Sequence, residues 1–145
     1  HRGGSPPGPV GGFPWMKACL EYLLSLGVPP SKISLGLAGY CDWWYPAYND
    51  KEGSRLRGDD ISYVRAMQIL DSAGVKPKWD DVQKAPYAMW ESRGVFRHPW
   101  LEDSRAFMTK LELVRKHKLR GYSVWLLGLE DPATWDALRK AGVRR

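Results

Sequence analysis

The sequence has little cysteine, no long apolar run and no methionine at its start. Cys19 and Cys41 do not have the spacing of metal ligands. They could form a disulfide only if the fold brings them together, so we expect two buried thiols. No stretch approaches the roughly 18 uninterrupted apolar residues of a membrane helix, so no membrane span is expected. The chain opens on His1 and its first methionine is Met16. We therefore expect a processed or truncated piece, in which a missing targeting signal proves little.

Positive charge is present but is not concentrated. The formal net charge is +6, yet lysines and arginines are scattered and mostly stand near acidic residues, and the only purely basic run is residues 144–145. A nucleic-acid interface requires a clustered basic surface, so nucleic acid is not an expected partner. With 145 residues and 43% hydrophobic residues, the chain has the size and composition of one soluble globular domain.

Helical periodicity, short aliphatic runs and turn residues predict an α/β chain with a small α+β insertion. Ser62 is expected to cap one helix and Asp131 another, with Pro132 at the first helical position. In chain order we predict a helix over 13–26, a strand over 33–38, a polar loop over 49–60, a helix over 62–73, short strands within 75–79, 86–90 and 94–100, a helix over 102–117, a strand over 121–128 and a final helix.

The two aliphatic strands have the same alternation of side-chain size. One face of each strand is bulky, as packing under helices requires, and the other face has small residues followed by one aromatic. The small faces comprise Ser34, Gly36, Ala38 and Tyr40 in the first strand, and Gly121, Ser123 and Trp125 in the second. Because a crowded barrel interior favours small side chains, this pattern predicts two strands of a barrel whose site lies at their C-terminal ends.

Aromatic residues are concentrated at those predicted strand ends. The segment "KISLGLAGYCDWWYPAY" has Trp or Tyr at four of its last six positions, which are 43, 44, 45 and 48. Flat apolar rings can stack on sugars, and Asp42 could accept hydrogen bonds from sugar hydroxyls, although a loop-capping role is an equal alternative. Trp15 and Trp135 fall in predicted helices and are expected to pack. No His, Cys or Asp cluster has metal-ligand or nucleophilic-triad spacing, and no cofactor is implied.

Four segments in order resemble the C-terminal part of glycoside hydrolase family 18. They are "SPPGPVGGFPWM", "KISLGLAGYCDWWYPAY", "PKWDD…APYAMW" and "LRGYSVWLLGLEDPATW", and the likeness is greatest to the bacterial branch of chitinase-like and spore-cortex peptidoglycan hydrolases. The resemblance implies that residues 1–145 are the last two strands, with their helices, of a TIM (β/α)8 barrel, carrying an α+β insertion over residues 61–100. It also implies that the preceding part of the same barrel is a required partner.

The same resemblance implies a function for the intact protein. Members hydrolyse β-1,4 linkages of N-acetylglucosamine polymers, chitin or peptidoglycan, with retention and with help from the substrate's own acetamido group. Trp125 matches the aromatic that floors the reacting subsite, and Tyr40, Asp42, Trp43 and Trp44 are the other candidate substrate-binding residues. The family's Asp-x-x-Asp-x-Asp-x-Glu signature does not occur in this sequence, so the chain should be inactive by itself. A catalytically dead, lectin-like barrel is the alternative, and a glycan ligand suggests secretion or the cell envelope.

Overall fold

The computed structural model describes residues 6–47 and 55–143, which form an α/β fold with two separate sheets. A short 3-10 turn at Pro30–Lys32 precedes the first strand. The elements in chain order are α1 (Phe13–Ser25), β1 (Ser34–Ala38), β2 (Cys41–Ala47), β3 (Arg55–Ile61), α2 (Tyr63–Ser72), β4 (Lys78–Asp80), β5 (Ala85–Tyr87), β6 (Trp90–Ser92), β7 (Val95–Trp100), α3 (Ser104–Lys116), β8 (Gly121–Trp125) and α4 (Ala133–Lys140).

Strands β1 and β8 form a two-stranded parallel sheet, as the two aliphatic runs predict. Their register pairs Gly36 with Ser123 and Ala38 with Trp125. The bulky residues of both strands face α1, α3 and α4, where Leu37 is only 2% exposed. The predicted division into a bulky face and a small face is therefore confirmed, and the helices cover the bulky face.

The second sheet has six strands and is larger than the predicted insertion. Its order is β3-β2-β7-β5-β4, with β6 paired to β7, and its pairings are antiparallel. The predicted bounds 61–100 leave out β2 and all of β3 except Ile61, although both strands belong to this sheet. Residues 55–60 were expected in a polar loop, and that expectation is wrong. Cross-strand pairing with β2 holds this polar segment as a strand, although its residues have weak intrinsic strand preference.

Side-chain caps fix the starts of three helices. Ser62 accepts a hydrogen bond from the Arg65 backbone N–H at 3.2 Å, as predicted for α2. Asp103 caps α3 by accepting from the Ala106 N–H at 2.7 Å. Asp131 accepts from the Ala133 N–H at 3.0 Å, as a capping residue would, but α4 begins at Ala133 and Pro132 directly precedes it with helical dihedral angles, so the predicted helix start at Pro132 is one residue early.

Specific hydrogen bonds attach the six-stranded sheet to the remainder of the chain. The Trp44 indole N–H donates to the Gly8 carbonyl at 2.9 Å, and the Phe13 N–H donates to the Gln83 carbonyl at 3.2 Å. At the other side, the Tyr63 N–H donates to the Leu129 carbonyl at 2.8 Å. These contacts fix the sheet above the C-terminal ends of β1 and β8.

The two cysteines are free and lie in different environments. Cys41 is fully buried, its Sγ accepts a hydrogen bond from the Glu102 N–H at 3.3 Å, and burial raises the pKa of its thiol to about 12. Cys19 is exposed on α1, so the expectation of two buried thiols is wrong for this residue. None of the described helices is long and apolar enough to cross a membrane.

Candidate functional site

The candidate site is a pocket of about 290 Å³ on the small-residue faces of β1 and β8. Gly36 and Ala38 line it from β1, and Ser123 lines it from β8. In the parallel register Gly36 stands opposite Ser123, and Ala38 stands opposite Trp125, so short side chains occupy three of these four positions. Leu37 and Val124 from the bulky faces also contribute to the lining. The alternation thus leaves one face of the two strands open, and the pocket lies beside that face.

Trp125 and Tyr40 lie at the mouth of this pocket, as the sequence predicts. Trp125 is 71% exposed, and Tyr40 is half-buried. Trp125 lies next to Gly39, whose N–H donates to the Trp125 carbonyl at 2.6 Å. A Cβ at position 39 would stand 2.8 Å from the Leu126 carbonyl oxygen, so glycine permits this close backbone approach. The exposed Trp125 indole therefore belongs to a segment whose backbone packs closely against the backbone at Gly39.

Asp42 lies close to Tyr40 but points into the protein. Its side chain is 1% exposed, and burial, with a smaller effect of the neighbouring Asp60 charge, raises the pKa of its carboxyl to about 7. Burial also raises the pKa of Tyr40, as do the charges of Asp60 and Asp42. Asp42 and Asp60 face each other across β2 and β3. With a pKa near 7, the Asp42 carboxyl is partly protonated near neutral pH.

Trp43 and Trp44 do not line the pocket with Trp125. They were expected at the end of the first aliphatic strand, but both belong to the separate strand β2 and point to opposite faces of the six-stranded sheet. Trp44 is 1% exposed and packs against α3, while Trp43 is 9% exposed and faces α2. Sugar contact by these two rings stays a prediction, and Tyr48 lies outside the described residues.

Two features of this site have no signal in the sequence. Trp15 was expected to pack within α1, but it is 67% exposed and lines the pocket. Lys110 also lines the pocket, although its side chain is 1% exposed and forms an ion pair with the buried Glu102. Burial raises the pKa of the Glu102 carboxyl to about 7, against the effect of the Lys110 charge. Eight residues separate the partners, so helical spacing does not reveal the pair.

The geometry of the pocket favours binding over chemistry. It offers an exposed indole, a phenol and a serine hydroxyl, which suit the apolar face and the hydroxyls of a sugar ring. Of the buried carboxyls close by, Glu102 is held by Lys110 and Asp42 points into the protein. Over residues 6–47 and 55–143, no group of three or more His, Cys, Asp or Glu side chains could hold a metal ion.

Comparison with known proteins assigns a family to this arrangement. The family described as glycosyl hydrolases family 18 matches residues 9–130. The cortical fragment-lytic enzyme of Bacillus subtilis (strain 168) is 32% identical over 135 residues, a match that covers 91% of this chain and 30% of that enzyme. The cortical fragment-lytic enzyme of Bacillus anthracis is 33% identical over 138 residues, with 93% and 31% covered. The chain thus spans less than a third of these relatives.

Solved structures have the same fold over nearly the whole chain. The spore cortex-lytic enzyme SleL of Bacillus megaterium QM B1551 superposes with a TM-score of 0.81 at 29% identity, covering 94% of this chain and 31% of SleL. A chitinase from Chromobacterium violaceum ATCC 12472 gives a TM-score of 0.78 at 28% identity, covering 96% of this chain and 41% of the chitinase.

Proposed function

We propose, from the premise that the chain belongs to the glycosyl hydrolases of family 18, that it supplies part of the sugar cleft of a glycoside hydrolase. The intact protein would cleave β-1,4 linkages in N-acetylglucosamine polymers, chitin or peptidoglycan. Relatives named as cortical fragment-lytic enzymes and a chitinase support both substrates equally. Cleavage would proceed with retention of configuration, with the substrate's acetamido oxygen as nucleophile.

The observation that carries the proposal is the position of Trp125 at the end of β8. Its indole is 71% exposed beside a face cleared of bulk, where a hydrophobic ring has no packing role among the described residues. An exposed indole of this kind can floor a subsite by stacking on the apolar face of a pyranose, and Tyr40 and Ser123 can hydrogen-bond its hydroxyls.

The general acid is proposed to come from outside this chain. The Asp-x-x-Asp-x-Asp-x-Glu signature of the family is absent from the sequence. Strands β1 and β8 would then be the seventh and eighth strands of a (β/α)8 barrel, completed by the preceding part of the same polypeptide. Action on a wall polysaccharide further suggests that the protein works outside the cell or in the envelope.

Hydrolysis of a chromogenic chito-oligosaccharide tests the proposal. We expect activity from the protein produced with the coding sequence that precedes His1, and none from the 145-residue chain. Trp125→Ala in the longer protein should lower kcat/KM by about 100-fold, since stacking in the reacting subsite supports the transition state.

The control is Trp135→Phe, because Trp135 belongs to α4 and packs against the core, and it does not line the pocket of Trp125. Cleavage by the short chain would contradict the proposed division of the site. Binding without cleavage by a longer protein that lacks the signature glutamate would instead support the lectin-like alternative.

A further inference from the structure

A second and larger cavity lies on the α2 side of the six-stranded sheet. Its volume is about 620 Å³, within the roughly 300–1,000 Å³ of small-molecule sites. No residue lines both this cavity and the pocket of Trp125. Its walls come from β2, β3, α2, β6 and β7 and include Trp43, Asp59, Asp60, Trp90, Ser92 and Arg97.

Two cross-strand pairs build this second cavity. Trp43 stands directly opposite Asp59 in the β2–β3 pairing, and Trp90 stands opposite Arg97 in the β6–β7 pairing. Residues in direct cross-strand register share a face of the sheet, so each ring has a charged neighbour on its own side. Ser92 follows Trp90 by two residues and shares that face.

The two rings meet edge to face. Their centroids are 5.7 Å apart with an interplanar angle of 85°, and Trp43 is buried whereas Trp90 is half-buried. Trp43 thus braces Trp90, whose ring is the aromatic surface that the cavity presents. This arrangement gives a rigid apolar platform about one ring wide.

Polar groups of both signs surround the platform. The Asp59 carboxylate is oriented by the Tyr45 hydroxyl, which donates to its Oδ2 at 2.6 Å. Arg97 has no ion-pair or hydrogen-bond partner among the residues that the structure describes, so its five N–H donors remain available to a ligand. Asp59 and Arg97 bring one charge of each sign to this face, whereas the Asp60 side chain points to the opposite face of β3, towards Asp42.

We infer that this second cavity binds one sugar unit of the polysaccharide outside the Trp125 cleft. A pyranose combines an apolar face for Trp90 with hydroxyl and amide groups that can donate to Asp59 and accept from Arg97. The site would hold the polymer at a distance from the bond being cleaved and would raise affinity by a second attachment. The inference rests on the proposed substrate class, but not on catalysis.

Binding of N-acetylglucosamine hexamer tests the inference, measured by calorimetry in the longer protein carrying Trp125→Ala. In that background the cleft lacks its floor, and the residual affinity reports the second cavity. We expect Trp90→Ala to weaken the residual binding by at least about tenfold and Arg97→Gln by about three- to tenfold. Trp90→Phe, which keeps a ring, should retain most of the affinity.

Glu91→Ala is the matched control. Glu91 adjoins Trp90 on β6 and points to the opposite face, so its loss should leave hexamer affinity within about twofold. The inference is overturned if Trp125→Ala abolishes all hexamer binding, or if Trp90→Ala lowers the residual hexamer affinity no more than Glu91→Ala does. It is also overturned if the ligands that bind in a Trp90-dependent way are only free stem peptides of peptidoglycan. Trp90-dependent binding without hydrolysis would overturn the proposed activity and leave this site standing.

Discussion

Asp42 is a residue whose charge depends on the fold. Its carboxyl is 1% exposed, and burial, together with Asp60, raises its pKa from 3.8 to about 7. Between those two pH values the folded protein binds more protons than the unfolded chain. The resulting stabilisation is complete below about pH 4 and is lost as the pH rises through about 7.

We therefore predict that Asp42→Asn flattens the pH dependence of stability. The amide keeps the shape of the carboxyl and carries no charge, so the free energy of unfolding at pH 8 should rise by on the order of 1–4 kcal/mol. Urea unfolding at pH 4 to 8 measures this change. A slope should remain, since burial also raises the pKa of Glu102 to about 7.

Asp71→Asn serves as the comparison for this prediction, because Asp71 is exposed at the end of α2. Its pH profile should follow that of the unmodified protein. If the Asp42→Asn and Asp71→Asn profiles run parallel, burial of Asp42 does not control stability.

Single residues also show what the sequence reveals about the site. Strand alternation predicted Trp125 and Tyr40 on one face, and both line the pocket, although Tyr40 lies in a bend beyond the end of β1. Trp43 and Trp44 could not be separated by that reasoning, since the antiparallel pairing of β2 with β3 and β7 decides which face each one enters. Trp90 and Arg97 meet through a cross-strand pairing that no local spacing encodes.

At the scale of elements, one side chain joins the starts of two helices. Asp131 is 7% exposed and accepts from the Ser104 N–H at 2.8 Å, in the first turn of α3, and from the Ala133 N–H at 3.0 Å, in the first turn of α4. An ordinary capping side chain accepts hydrogen bonds from the backbone N–H groups of one helix only. Asp131 therefore couples the packing of α3 to that of α4.

Asp131→Ala should cost more stability than removal of an ordinary cap. We expect a loss of about 2–4 kcal/mol in the free energy of unfolding, since two partly buried N–H groups lose their acceptor. Ser62→Ala, which removes the single cap of α2, should cost about 1 kcal/mol. Equal losses for the two variants in denaturant titrations would contradict the double role.

Elements with strong local signals were predictable, and those formed by pairing were not. The four helices and strands β1 and β8 follow from periodicity, caps and aliphatic runs. Strand β3 has the polar sequence "RLRGDDI" and exists because β2 offers a pairing edge. Likewise, residues 86–90 were expected as one strand, but positions 88–89 interrupt it between β5 and β6.

At the scale of the whole molecule, the parallel sheet has two open edges. Within the described residues, β1 and β8 pair only with each other, so each leaves one side of its backbone unpaired. Unpaired strand edges beside an exposed indole favour association with other chains. The proposed preceding strands of the barrel would cover both edges.

The 145-residue chain should consequently self-associate, whereas the longer protein should remain monomeric. Sedimentation velocity across a range of concentrations, with circular dichroism on the same samples, measures both association and folding. A compact monomeric short chain with a cooperative unfolding transition would contradict this prediction and favour an independent small domain.

The contact between Cys41 and Glu102 has a consequence for how this architecture can vary. The chain enters the six-stranded sheet at Cys41 and leaves it at Trp100, and two residues later the Glu102 N–H donates to Cys41 Sγ at 3.3 Å. A short turn could bridge the two positions, so residues 42–101 form a cassette with adjacent ends. Exchange of this cassette would replace the second cavity as a unit, while the pocket residues on β1 and β8 and the packing of α3 against these strands stay unchanged.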